Sequence, residues 1–141
     1  MVEFLETSHV EGEMDFWQDV RCAATSVRSI VGAAQPLVLI GYSFGCALLP
    51  RVCQIEPPAT VVLIAPPLGK HDYAGFTTVK SPILAIVSSD DFTLKPAQLH
   101  EWFDRLSEPK CLVEASADNH FFRGHEAWLV ETVASFLSEH V

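Results

Sequence analysis

A serine that could act as a nucleophile lies in a G-x-S-x-G motif over residues 41–45, directly after the apolar run 37–40. A serine hydroxyl is a poor nucleophile unless its Oγ is held clear of the backbone and beside a base. A sharp turn from a strand into a helix achieves this and forces an unusual backbone conformation on the serine. Glycines on both sides would leave room for neighbouring backbone in so tight a turn. The motif therefore predicts that Ser43 is a nucleophile at the end of a strand.

An acid and a histidine follow at the ends of two later apolar runs. Asp90 and Asp91 come after residues 83–87, and His120 comes after residues 111–115. The carboxyl ends of parallel strands meet at one edge of a sheet, so these side chains are expected to lie near Ser43. A histidine can take the serine proton, and a carboxylate can hold its imidazole in the required tautomer. Neighbouring side chains diverge at a strand end, so only one of the two acids should face the imidazole.

The elements that must position these residues alternate along the chain. Apolar periodicity predicts helices over 15–31, 44–55, 96–106 and 126–139, and strands over 37–40, 60–65, 83–87 and 111–115. Pro50 should kink the second helix or shorten its first part. The strands are continuous apolar runs, which indicates cover on both faces. The predicted fold class is α/β, a three-layer sandwich with a parallel sheet of about four to five strands, in one domain over residues 1–141.

Composition excludes several classes of function. The 141 residues carry a net charge of -9, which argues against nucleic acid and against anionic membrane surfaces. No apolar run approaches the roughly 20 residues of a membrane helix, and no signal peptide is evident. The four cysteines lack the spacing of a metal site, which favours free thiols in a reducing, cytoplasmic compartment. We expect neither a metal nor a cofactor. A nucleotide-binding domain is disfavoured because residues 41–45 match neither G-x-G-x-x-G nor a P-loop.

Other aromatic and titratable side chains have simpler interpretations. The three tryptophans fall on apolar helical faces, which predicts core packing for Trp17, Trp102 and Trp128. His71 lies in the irregular segment 66–80 and is a candidate for a pocket wall.

At this point the chain resembles the α/β-hydrolase superfamily, in which the serine, the acid and the histidine occur in that order. It is most similar to small bacterial enzymes related to dienelactone hydrolases, which have a G-[YF]-S-F-G motif. The resemblance covers nearly everything from about Gly12 onward. The strongest match is the segment 118–124, D-N-H-F-F-R-G, which is similar to the family's D-H-F-F-x-G histidine loop.

The resemblance implies a serine hydrolase acting on small ester, thioester or related acyl substrates. Ser43 would be the nucleophile and His120 the base. Asp91 would be the acid, because the family pattern ends a short turn in Asp and places a Pro, here Pro96, a few residues later. Asp90 stays open as the alternative. The backbone N–H of Phe44 would donate one oxyanion hydrogen bond, and the candidate substrate-binding residues are Tyr42, Pro66 and Phe121.

The chain departs from the family before the first predicted helix. The family carries further N-terminal strands there, and a glycine-rich loop that donates the second oxyanion N–H. The first forty residues contain only two glycines, Gly12 and Gly32, and so have no such glycine-rich loop. Strand 37–40 would then be an edge, so we expect a residual strand over 2–7, a homo-oligomer, or a missing N-terminal segment. The alternative function is a catalytically weak or inactive domain that serves as a binding or assembly module.

Overall fold

The computed structural model describes residues 13–116 and 120–141, with side chains from residue 16 onward. Every helix and strand predicted within these residues is present, and their ends differ from prediction by at most two residues. The helices and strands are α1 Glu13–Val31, β1 Val38–Tyr42, α2 Phe44–Ile55, β2 Thr60–Ile64, β3 Ile83–Ser88, α3 Pro96–Asp104, β4 Lys110–Ala115 and α4 Glu126–His140, and a short 3₁₀ helix covers Ala74–Thr78. The strand predicted over 2–7 lies outside the described residues.

The four strands form one parallel sheet in the order β1-β2-β3-β4. β2 and β3 are buried along their whole length. One core lies between one face of the sheet and the helices α1, α2 and α3. A second core lies between the other face and α4. The predicted three-layer α/β sandwich is therefore confirmed. None of the described helices is both long enough and apolar enough to cross a membrane.

The prediction that both faces of every strand are covered is wrong for β1. Ile40 is 43% exposed on the sheet face that packs against α4 elsewhere. β1 lies at the edge of the sheet, and the buried strand residues of the core beneath α4 come from β2, β3 and β4. The predicted apolar face of α1 is likewise only partly covered, because α1 packs against α2 while Ile30 stays 82% exposed. An apolar edge of the sheet and an apolar helix end are thus exposed.

Pro50 does not shorten α2, so the first of the two expected effects, a kink, is the one that stays a prediction. One helix runs from Phe44 to Ile55 with Pro50 inside it and buried. A proline in a helix interior costs about 3 kcal/mol because it lacks an N–H. The cost is offset here by core packing of the flanking helical residues Leu49 and Val52. The chain at Gly75 also approaches Pro50 closely, since a Cβ at residue 75 would lie 2.8 Å from the proline Cβ.

Candidate active site

Ser43 joins β1 to α2 in a strained conformation. Its φ of 49° and ψ of -120° lie where residues other than glycine are rarely found, at a cost on the order of 1–3 kcal/mol. Two backbone hydrogen bonds hold the turn: Ser43 N–H donates to the Ile64 carbonyl at 2.8 Å, and the Ser43 carbonyl accepts from Cys46 N–H at 2.9 Å. The predicted unusual backbone conformation is therefore confirmed.

The two glycines of the motif are not equivalent. A Cβ added at Gly41 would lie 2.8 Å from Cys46 Cα and 2.9 Å from Cys46 N, so only glycine fits beside the start of α2. A Cβ added at Gly45 would meet no heavy atom within 4 Å. The prediction that both glycines make room for backbone is correct for Gly41 and wrong for Gly45.

Gly41→Ala is expected to lower the free energy of unfolding by about 1–3 kcal/mol, because backbone must move to admit the methyl group. Gly45→Ala is the matched control. It lies near the start of a helix with open space beside it and should hold or raise stability by up to about 1 kcal/mol. Urea denaturation followed by circular dichroism measures both values. Equal stability of the two variants would contradict the close approach at Gly41.

The structure brings Ser43, His120 and Asp91 together at the carboxyl edge of the sheet. The distance from His120 Nε2 to Ser43 Oγ is 2.7 Å, and that from His120 Nδ1 to Asp91 Oδ2 is also 2.7 Å. His120 is only 4% exposed, and Asp91 is 6% exposed. Because a carboxylate accepts and does not donate, Nδ1 carries the hydrogen towards Asp91 and Nε2 is left to accept from the serine hydroxyl. The arrangement has the geometry of a proton relay.

The second oxygen of Asp91 is also fully engaged. Asp91 Oδ1 accepts hydrogen bonds from Thr93 N–H and from Thr93 Oγ1, both at 2.7 Å. Asp90, the alternative acid, is exposed. Thr93 was missed by the sequence reasoning, although an acid followed two residues later by a donor is the signature of an Asx turn. The buried acid beside the imidazole is therefore Asp91, held in one orientation by Thr93.

Tyr42, predicted to contact substrate, contacts the histidine. Its hydroxyl donates to the His120 backbone carbonyl at 2.8 Å, and its ring meets the imidazole edge-on at 6.1 Å. Burial, and next the negative charge of Asp91, raise the pKa of Tyr42. The contact ties the histidine segment to the serine turn. Substrate binding by Tyr42 stays a prediction.

Two exposed phenylalanines lie against the imidazole. Phe121 is 56% exposed with its ring 5.3 Å from that of His120, and Phe92 is 74% exposed at 5.4 Å. Phe92 was missed by the sequence reasoning, because an apolar residue after Asp91 gives no signal of its own. Pro66, the third candidate for substrate contact, is buried beyond the end of β2. The edge of the site is thus apolar and open. Asp118 and Asn119, which precede His120 in the sequence, lie outside the described residues.

A cleft of about 410 Å³ begins at Phe44, the residue after the serine. Phe44 is the first residue of α2, and the first N–H groups of a helix have no acceptor within it. The role of the Phe44 N–H as an oxyanion donor stays a prediction. His71 lines the cleft, as the sequence allowed, with its ring 5.4 Å from Phe44. Trp17 also lines the cleft beneath Arg21 and Arg51, so the prediction of core packing is wrong for Trp17.

Solved structures of hydrolases share this fold. Over 92% of its length the chain matches an α/β serine hydrolase homologue from Coxiella burnetii, with a TM-score of 0.75, 23% identity and 62% of that chain covered. It matches an α/β serine hydrolase without a lid from Xanthomonas campestris over 83% of its length, with a TM-score of 0.67, 28% identity and 52% of that chain covered. An esterase from Pyrococcus furiosus matches over 95%, with a TM-score of 0.76, 14% identity and 65% of that chain covered.

Sheet order, layers and these likenesses define the class of protein: the chain has the α/β-hydrolase fold. It is similar to α/β serine hydrolases and esterases and spans 52–65% of the length of the three just described. No protein-family model and no curated protein matches the chain. The resemblance inferred from the motifs is confirmed at the level of the fold.

Proposed function

We propose that the protein is a serine hydrolase that acts on small ester, thioester or related acyl substrates through Ser43, His120 and Asp91. The observation that carries the proposal is the unbroken hydrogen-bond relay, with 2.7 Å from Ser43 Oγ to the imidazole and 2.7 Å from the imidazole to the carboxylate. A strained serine at a strand end adds support, because strain of this kind concentrates at functional sites.

The relay supports a two-stage reaction. His120 Nε2 takes the hydroxyl proton while Ser43 Oγ bonds to the substrate carbonyl carbon, and the leaving alcohol or thiol then receives that proton. A water molecule next gives a proton to the same nitrogen and attacks the acyl-serine, which releases the acid and restores the serine. Asp91 stays ionised throughout and stabilises the imidazolium.

Charge on the carbonyl oxygen would be stabilised at the start of α2. The Phe44 N–H lies at the positive end of the helix dipole, next to the nucleophile. Each preorganised donor of this kind contributes on the order of 3 kcal/mol to lowering the barrier.

The edge of the site is open and apolar, which supports a small acyl compound as the substrate. Phe92 and Phe121 expose their rings beside His120 and would contact an apolar acyl group. Residues 68–79, which follow β2, pack inward through Tyr73 and Phe76, both in the core. The site would therefore admit substrate without opening a lid, and the Xanthomonas neighbour is itself described as lidless.

A fluorophosphonate probe tests the proposal, because it phosphonylates only an activated serine. We expect stoichiometric labelling of the folded protein, mapped to Ser43 by peptide mass spectrometry, and none after denaturation. Ser89, which is exposed on the same edge, serves as the internal control and should stay unmodified. Folded protein that leaves Ser43 unlabelled while the probe labels a known serine hydrolase in the same tube would overturn the proposal.

The alternative is an inactive domain that serves in binding or assembly. It is favoured by the edge strand β1 with its exposed Ile40, and by the exposed apolar residues Val27 and Ile30 of α1. We propose that this edge associates with a second copy of the chain or with further polypeptide. The alternative takes precedence if Ser43 fails the labelling test in folded protein.

We propose a reducing, cytoplasmic setting for this activity. All four cysteines are free thiols. Burial raises the pKa of Cys53 to about 12 and also raises that of Cys46, so neither thiol ionises readily.

A further inference from the structure

The cleft beside the nucleophile has a charge opposite to that of the protein as a whole. Arg51 and Lys70 both line it, and Asp72 is the one carboxylate among its described lining residues. One oxygen of that carboxylate accepts the Ala74 N–H at 2.8 Å. The chain as a whole carries a net charge of -9. Two cations gathered in one concave surface of an acidic protein point to an anionic ligand.

Aromatic rings hold both cations in place. The Arg51 guanidinium lies 5.6 Å from the centre of the Trp17 ring, and Lys70 Nζ lies 5.8 Å from the centre of the Phe92 ring. Stacking of this kind reduces the rotamer freedom that a long side chain loses when it binds an anion. Neither cation forms an ion pair with a carboxylate in the described part of the chain.

The cleft borders the site of chemistry on two sides. Phe44 lines it and directly follows Ser43. Lys70 lines it too, and the Phe92 ring beneath Lys70 lies 5.4 Å from the imidazole of His120. A molecule whose carbonyl carbon lay at Ser43 Oγ could therefore extend between Arg51 and Lys70.

We propose that the cleft binds the phosphate group of an ester or thioester substrate whose carbonyl is attacked at Ser43. The inference rests on the proposed function and names its substrate class. A phosphate is favoured over a carboxylate because its two negative charges can pair with both cations of the cleft, Arg51 and Lys70. The planar guanidinium suits bidentate contact with phosphate oxygens, and an ammonium serves as a point charge. His71 and Gln54 on the same walls add polar hydrogen-bonding groups.

Two thioesters that differ only by a phosphate test this inference: S-butyryl phosphopantetheine and S-butyryl pantetheine. Exposed ion pairs are individually weak, so two of them predict a preference of about tenfold in kcat/KM for the phosphorylated thioester. The preference should shrink at high salt. Arg51→Met and Lys70→Met should each reduce it to about threefold, and the double variant should remove it. Arg105→Met, at an exposed position outside the cleft, removes the same charge and should leave the preference intact.

Calorimetric binding of the same two thioesters to the Ser43→Ala protein separates this inference from the proposed function. Tighter binding of the phosphorylated thioester that depends on Arg51 and Lys70 supports the phosphate site even if neither compound is hydrolysed. Equal binding of both thioesters, or a preference that survives the double variant, overturns it. A second pair of thioesters tests a carboxylate in place of the phosphate: S-butyryl N-acetylcysteine carries a carboxylate that S-butyryl N-acetylcysteamine lacks. If the protein prefers the carboxylate compound by as much as it prefers the phosphorylated thioester, the assignment to phosphate is overturned.

Discussion

Ser43→Ala is expected to lower kcat for a short-chain thioester by about 10⁶-fold, to the level of uncatalysed hydrolysis plus residual binding effects. The reason is geometric. Ser43 Oγ is the one hydroxyl that the described structure places within 2.7 Å of His120 Nε2, and without it the imidazole has no nucleophile to deprotonate. A stopped assay with high-purity protein measures the loss.

The matched control for Ser43→Ala is Ser89→Ala, at an exposed position near the same strand ends. It should keep full activity. Both variants should unfold at or above the wild-type temperature, since Ser43→Ala removes no core packing. Turnover retained within about tenfold in a folded Ser43→Ala protein would mean that another group performs the chemistry.

Asp91→Asn is expected to lower kcat by about 10⁴-fold while the fold is preserved. Thr93 explains why the loss should be so large. Its N–H and hydroxyl both donate to Asp91 Oδ1, so an asparagine would keep its carbonyl oxygen there and turn its NH₂ towards His120. The amide would then donate to Nδ1, the imidazole hydrogen would move to Nε2, and Nε2 could no longer accept the serine proton.

Asp90→Asn is the control for this prediction. It removes the same charge from the neighbouring residue, whose side chain is exposed. Its kcat should stay within about threefold of wild type, because an exposed charge in water interacts only weakly with its neighbours. A nuclear magnetic resonance spectrum of the His120 ring nitrogens should show the hydrogen moving between Nδ1 and Nε2 in Asp91→Asn alone. Similar losses in both variants would contradict the assignment of the acid.

Local sequence determined the elements well, because each is specified by short-range periodicity. Continuous apolar runs marked the strands, and apolar residues at three- and four-residue steps marked the helices. Pro50 is the exception. Its helix persists because core contacts outweigh the lost hydrogen bond, and a single sequence does not reveal the strength of those contacts.

Which faces of the helices and strands are buried was harder to predict than whether a segment is a helix or a strand. Periodicity gave Trp17 an apolar helical face, yet the structure places its ring on the wall of a cleft and beneath two arginines. It also gave β1 two covered faces, although Ile40 is exposed at the sheet edge. Periodicity identifies a surface that is able to pack, while the neighbours that arrive from elsewhere in the chain decide whether it does.

The sequence by itself determined the α/β alternation, the serine turn and the order of serine, acid and histidine, because these depend on residue type and short spacing. The tertiary structure was needed to remove Asp90 as the alternative acid, and it alone decided that Tyr42 contacts the histidine backbone and that Arg51 and Lys70 share a cleft beside the nucleophile. Each of these contacts joins segments far apart in the chain. Their distances follow from how the layers pack, which no local pattern encodes.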